Sequence, residues 1–181
     1  GVGTLFWLRI DQDKTNYSKR TGILLLFGFL QGLSLGSLID LVLQTDPSIL
    51  VTALLATTTI FACFAGAALF AKRRSYLYLG GVLSSAMTVL LMASVANLFV
   101  RTGLVFGVQL YIGLAVFCGY VVFDTQLMVE KASLGDRDFA WHAAELFIDF
   151  VAIFVRICII LFRNRSDRSS RKRRNGGSVR R

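Results

Sequence analysis

The stretch CGYVVFDTQLMVEKASLGDRDFAWHAAELFIDFVAIFVRICIILF, Cys118 to Phe162, decides how this chain folds. It reads as two strongly apolar helices joined by the charged turn Glu130–Asp138. Each helix carries acidic groups where a membrane-length apolar segment should have none. Asp124 sits in the first; His142, Glu145, Asp149 and Arg156 sit along the second. Asp124 and Asp149 are 25 residues apart, and the midpoint falls at Asp136–Arg137, beside Gly135. If the chain folds back there, each aspartate stands about 12 residues from the turn, roughly 18 Å along a helix. Both then lie at matching depth, near the middle of a hydrocarbon layer about 30 Å thick. Two carboxylates facing each other there are costly, and by default mark an ion or proton pathway.

The rest of the chain agrees with a membrane setting. Of its 181 residues 55% are hydrophobic and only 17% charged, with 15 Phe beside one Pro, and the mean hydropathy is +0.62. A soluble domain of this length does not normally carry so much apolar residue. The apolar runs are long blocks without strict alternation, so helices win over a barrel, and the fold class is all-α, polytopic membrane protein. The net charge of +9 belongs mostly to the tail, which from Arg163 onward holds nine Lys/Arg against Asp167 alone. This excludes a nucleic-acid-binding fold as the source of the basic character. Cys63, Cys118 and Cys158 lie in apolar segments without a CxxC pair, which argues against a zinc site or disulfide framework and reads as buried thiols.

In chain order, residues 1–10 read as the end of a truncated transmembrane helix, in a chain expected to be incomplete at its N-terminus, and 11–20 as a cytosolic connector. Helices are expected over about 21–43, 47–71, 75–100, 103–129 and 139–162, followed by a basic, disordered tail over 163–181. Gly32 and Gly36 form a GxxxG spacing suited to close helix packing. Asp46-Pro47-Ser48 reads as a helix start. If helices alternate, 9–20, 72–74 and 130–138 share one face with nine basic residues, against Arg101 opposite, so that face is expected to be cytosolic. A spanning last helix would put the basic tail on the other side. A re-entrant one would not, and the sequence leaves this open.

On a helix, His142, Glu145, Asp149 and Arg156 fall within an arc of about 60°. Such a polar stripe implies that the last helix occupies the centre of the bundle, its polar face toward Asp124. Two close carboxylates would share a proton, which makes them a latch: joined at lower pH, repelling or taking up a cation at higher pH. Their oxygens suit transient Ca²⁺ coordination, although two carboxylates fall short of a cage. Plainer readings stand beside these. Arg156 either neutralises Asp149 or snorkels to the near interface; Glu145 lines a vestibule or is solvated; His142 is an interfacial, capping or pH-sensing residue. Asp40 either faces a cavity or reaches the interface. In the tail, Arg171, Lys172, Arg173 and Arg174 suit anionic lipid or a protein partner.

The run GYVVFDTQLMVEKASLGDRDFAWHAAELFIDF, with TDPSIL at 45–50 and ALFAKRRSYLYLGGVLSSA at 68–86, resembles the Bax inhibitor family of transmembrane proteins. The resemblance covers nearly the whole chain from about Gly22 to Leu161. It implies a seven-helix bundle with the last helix central, of which this chain is a remnant. It further implies a multi-pass protein of the endoplasmic reticulum that leaks Ca²⁺ in a pH-gated manner and suppresses stress-induced apoptosis. Asp124 and Asp149 match the family's paired aspartates, its pH sensor and gate, and Bcl-2-family death regulators are implied as partners. The function expected is therefore a pH-sensitive Ca²⁺ leak channel or cation/H⁺ exchanger, with Ca²⁺ and H⁺ as the ions and no cofactor. The alternative is a non-conducting scaffold acting through partners at its basic tail. An enzyme is not expected, since GxSxG and HExxH are both missing from the chain.

Overall fold

The computed structural model describes residues 17–71, 78–100, 103–135 and 138–178; for residues 17, 100, 104, 105 and 169–178 it gives the backbone path alone. Residues 1–16, the basic cluster 72–74, Arg101 and the Asp136–Arg137 midpoint lie outside the described residues. Among the described residues five helices follow one another: α1 (Tyr17–Thr45), α2 (Ser48–Phe70), α3 (Leu79–Val100), α4 (Gly103–Ser133) and α5 (Phe139–Ser178). No strand occurs among the described residues. The first four contain stretches long and apolar enough to cross a membrane. α5 carries the charged stripe and is sheltered instead, packing against α1, α2 and α4, while α4 packs against α2, α3 and α5. These two helices form the centre of a polytopic, all-α membrane bundle.

The outside of the bundle is apolar, as lipid requires. Phe29, Leu55, Leu91, Leu98 and Phe99 all point outward, a surface that water would not tolerate over such an area. Inside, Val121 of α4 meets Ile153, Phe154, Ile157 and Cys158 of α5 and Ala53 of α2 in one cluster. A second joins Ile23 and Phe27 of α1 to Ala140 and Ala144 of α5. Because lipid tails are as apolar as these side chains, close packing and satisfied polar groups hold the helices together. Gln126 accordingly donates from α4 to the Ala68 carbonyl of α2 at 3.3 Å.

Glycines on α4 and at the start of α3 set the close approaches. A Cβ on Gly119 would come within 2.7 Å of Leu83, and one on Gly80 within 2.8 Å of the Phe123 ring. The GxxxG pair expected to pack α1 does not do so: Gly32 and Gly36 face open space among the described residues. Cys118 and Cys158 are buried as expected, whereas Cys63 is exposed on the outer face of α2. Spacing alone does not tell which side of an apolar helix faces protein.

Two helix ends differ from the sequence reading for physical reasons. α1 begins at Tyr17, so Arg20 lies in its first turns and not in a connector. There Arg20 is 2% exposed and forms an ion pair with Asp138. The Asp138 carboxylate also accepts the backbone N–H of Trp141 at 3.2 Å, which makes it the N-cap of α5. At its other end α5 does not stop at Phe162 but continues to Ser178. Arg and Lys have high helix propensity, and extending an existing helix avoids the cost of nucleating one.

The ends of α5 fix its course. Asp138 meets Arg20 at the start of α1, while Arg163 reaches the Gly103 carbonyl at the start of α4. Arg165 pairs with Asp46 between α1 and α2 at 2.9 Å. α5 therefore runs the height of the bundle, and its basic extension leaves at the end opposite the α4–α5 turn. That turn closes through Gly135, whose φ of 90° suits glycine and few other residues.

Candidate functional site

The α4–α5 hairpin brings Asp124 and Asp149 within electrostatic reach of each other inside the bundle. Two carboxylates only accept, so a hydrogen bond between them would need one shared proton. Asp149 is 4% exposed, and its Oδ2 finds no hydrogen-bond partner among the described residues. Around the pair stand Glu145 and Lys131, close enough to act on Asp124 electrostatically. Cys118 and Tyr120 of α4 lie within reach of Asp149. The equal spacing from the turn reflects two straight helices leaving a short connection, which carries residues at the same distance to the same depth.

Glu145 is not the solvated group that its place near the helix start suggested. Its Oε1 accepts the Trp141 indole N–H at 2.6 Å, and its Oε2 lies 3.4 Å from His142 Nδ1. His142 is 5% exposed, with Nε2 buried and unpartnered. It neither caps α5, a task done by Asp138, nor lies at a wet interface. Trp141, His142, Glu145 and Asp149 thus form a polar column rising from the capped start of α5 to the aspartate pair.

Arg156 stands apart from this column. Its guanidinium bonds the Ala152 carbonyl at 3.0 Å and lies 4.2 Å from the centroid of the Phe117 ring. It pairs with no carboxylate among the described residues, so the reading in which it neutralises Asp149 is overturned. Snorkelling toward Arg163 is overturned too, because the side chain leans back toward the N-terminus of α5, as long helical side chains do. Asp40 is exposed on α1, accepting a hydrogen bond from Gln44 at 2.9 Å, and takes no part in the site. Arg171, Lys172, Arg173 and Arg174 continue the α5 helix, and their side chains are outside the described set. Among the described residues no three His, Cys, Asp or Glu side chains converge as metal ligands.

Two residues of the site escaped the sequence reading. Trp141 had a usable signal, standing four residues before Glu145 on one helix face. Arg20 had none, because its partner is 118 residues away.

A bundle of this kind, with apolar helices around a central hairpin that carries a buried acidic pair, is a multi-pass membrane protein. Its sequence matches the family described as inhibitor of apoptosis-promoting Bax1 over residues 1–167. It is 46% identical over 172 residues to Bax inhibitor 1 of Bos taurus, covering 94% of this chain and 73% of that protein. Against Bax inhibitor 1 of Mus musculus the identity is 48% over 173 residues, with 95% and 73% covered. Against that of Arabidopsis thaliana it is 45% over 168 residues, with 92% and 68% covered. The chain belongs to the Bax inhibitor family, the inhibitors of apoptosis-promoting Bax1.

Proposed function

We propose that this protein is a non-enzymatic, pH-sensitive Ca²⁺ leak pathway or cation/H⁺ exchanger of the endoplasmic reticulum membrane that suppresses stress-induced apoptosis. The observation that carries the reading is the burial of Asp149 within electrostatic reach of Asp124. With a proton between them, the pair joins α4 to α5 across the centre of the bundle. Once that proton leaves, two like charges face each other in a low-dielectric setting, where repulsion is strong. They then separate or take up a cation, and hard carboxylate oxygens suit Ca²⁺. Two ligands hold such an ion briefly, which is what a conducting path needs. The relatives named Bax inhibitor 1 support the role in cell death.

The test is Ca²⁺ efflux from loaded liposomes carrying the protein, wild type beside Asp124→Asn and Asp149→Asn, between pH 6 and 8. The wild type is expected to leak with a pH dependence that both substitutions change. Unchanged flux and pH response in both variants would refute the gate.

A second reading, a scaffold acting through its tail, is favoured by the continuation of α5 to Ser178 as a basic helix. Anionic lipid and Bcl-2-family proteins are its proposed partners. Deleting residues 169–181 then abolishes protection from cell death, while the Asp124→Asn and Asp149→Asn variants keep it. The opposite pattern rejects the scaffold.

A further inference from the structure

Arg156 is the charged group that the proposed gate leaves unused. It lies seven residues beyond Asp149 and seven short of Arg163, about 10 Å of helix from each. A guanidinium stays charged inside proteins and presents five N–H donors. Here it is half-buried, with a single hydrogen bond to Ala152 and the Phe117 ring beneath it. A cation so placed is costly unless a counter-charge meets it, and none does among the described residues. Gly113 makes the seat for this group, since a Cβ there would come within 2.6 Å of Arg156 Nε.

Beside the guanidinium lies a cavity of about 380 Å³ whose lining includes Ser94, Leu98, Phe106, Gln109 and Ile159. Its other polar side chains, Ser94, Asn97 and Gln109, are already engaged. The Gln109 amide donates to the Leu90 carbonyl at 3.0 Å and to the Ser94 hydroxyl, and Ser94 donates to Leu90 at 2.9 Å. Arg156 is thus the lining group with donors to spare. Among the described residues α3 packs against α4 and not against α5, so the cavity lies open between α3 and α5 there. On that side Leu98 is 71% exposed, a lipid-facing rim.

The geometry points to a binding site for the carboxylate of a long-chain fatty acid, its head on Arg156 and its chain along Leu98, Phe106 and Ile159. Arg156 is the one cation among the described lining residues, with Arg163 beyond them over the Phe106 ring, and its planar guanidinium fork matches a carboxylate with two parallel hydrogen bonds. The volume falls in the range of small-molecule sites, and Leu98, Phe106, Leu110, Val155 and Ile159 supply its apolar lining. Arg156 also lies about 10 Å inward of Arg163 along the helix, deeper than a phospholipid phosphate sits at the interface. The site is independent of whether the aspartate pair conducts.

The experiment uses the full chain in phosphatidylcholine nanodiscs with radiolabelled oleate. Wild type is expected to bind oleate saturably, and methyl oleate, with the same chain but no charge, is expected not to compete. Arg156→Gln is expected to weaken binding by about tenfold or more. Leu98→Trp, which fills the cavity and leaves Arg156 in place, is expected to weaken it as well, in a protein whose circular dichroism is that of wild type. Absence of saturable binding overturns the proposal, as does wild-type affinity in Arg156→Gln or equal competition by methyl oleate. Displacement of oleate by sodium phosphate or phosphatidic acid at matched concentration assigns the cation to another anion and overturns it too.

Discussion

Replacing Asp138 tests how the central hairpin is anchored. Its carboxylate does two jobs at once, pairing with Arg20 and capping α5 through the Trp141 N–H. With Arg20 2% exposed and the Asp138 side chain 12% exposed, solvent screens the pair weakly. Removing one partner of such a buried pair costs about 3–5 kcal/mol, because the other charge stays behind. Loss of an N-cap costs about 1 kcal/mol. Asn caps as well as Asp, so Asp138→Asn is expected to lose the first contribution alone, and Asp138→Ala about 1 kcal/mol more. Arg20→Met beside Asp138→Asn completes a double-mutant cycle, in which the two losses should fall well short of adding. The assay is unfolding in mixed micelles by titrated denaturing detergent, followed by circular dichroism. If Asp138→Asn changes stability by less than about 1 kcal/mol, the buried-pair argument fails for this site. Equal losses in Asn and Ala variants would remove the cap from the account.

Further outcomes follow from other contacts. Gly80→Ala drives a Cβ to 2.8 Å from the Phe123 ring and is expected to cost about 1–3 kcal/mol by overpacking, whereas Gly36→Ala, facing open space, should be neutral or slightly stabilising in the same unfolding assay. Trp141→Phe removes the 2.6 Å hydrogen bond to Glu145 and is expected to cost about 1–3 kcal/mol; thermal unfolding indistinguishable from wild type would show that the bond carries no weight. Asp46 stands outside the membrane segments, and the Ser48 hydroxyl and backbone N–H, helped by Arg165, hold its carboxyl below the ordinary 3.8. A depressed value means that its anchoring of the α5 extension is complete above about pH 4 and is lost as pH falls through the folded-state value. Hydrogen exchange of residues 163–168, corrected for intrinsic rates, should therefore rise at pH 3 relative to pH 6, and unchanged protection would contradict the anchor.

The sequence by itself determined the membrane class, the rough limits of most helices among the described residues, and the approach of Asp124 to Asp149. These follow from one-dimensional quantities: apolar blocks of membrane length, a glycine-containing turn, and equal counts of residues on either side of it. Tertiary structure alone decided which faces those helices turn toward one another. Nothing in a uniformly apolar helix marks its buried side, so Gly32 and Gly36 looked like packing residues and meet no neighbour among the described residues, while Gly80 and Gly119 do. Nor does local sequence reveal long-range charge pairing. Arg20 reaches Asp138 across 118 residues, and Arg156, only seven residues from Asp149, turns instead onto Phe117. In both cases the helix spacing allowed several partners, and the packing of neighbouring helices selected one.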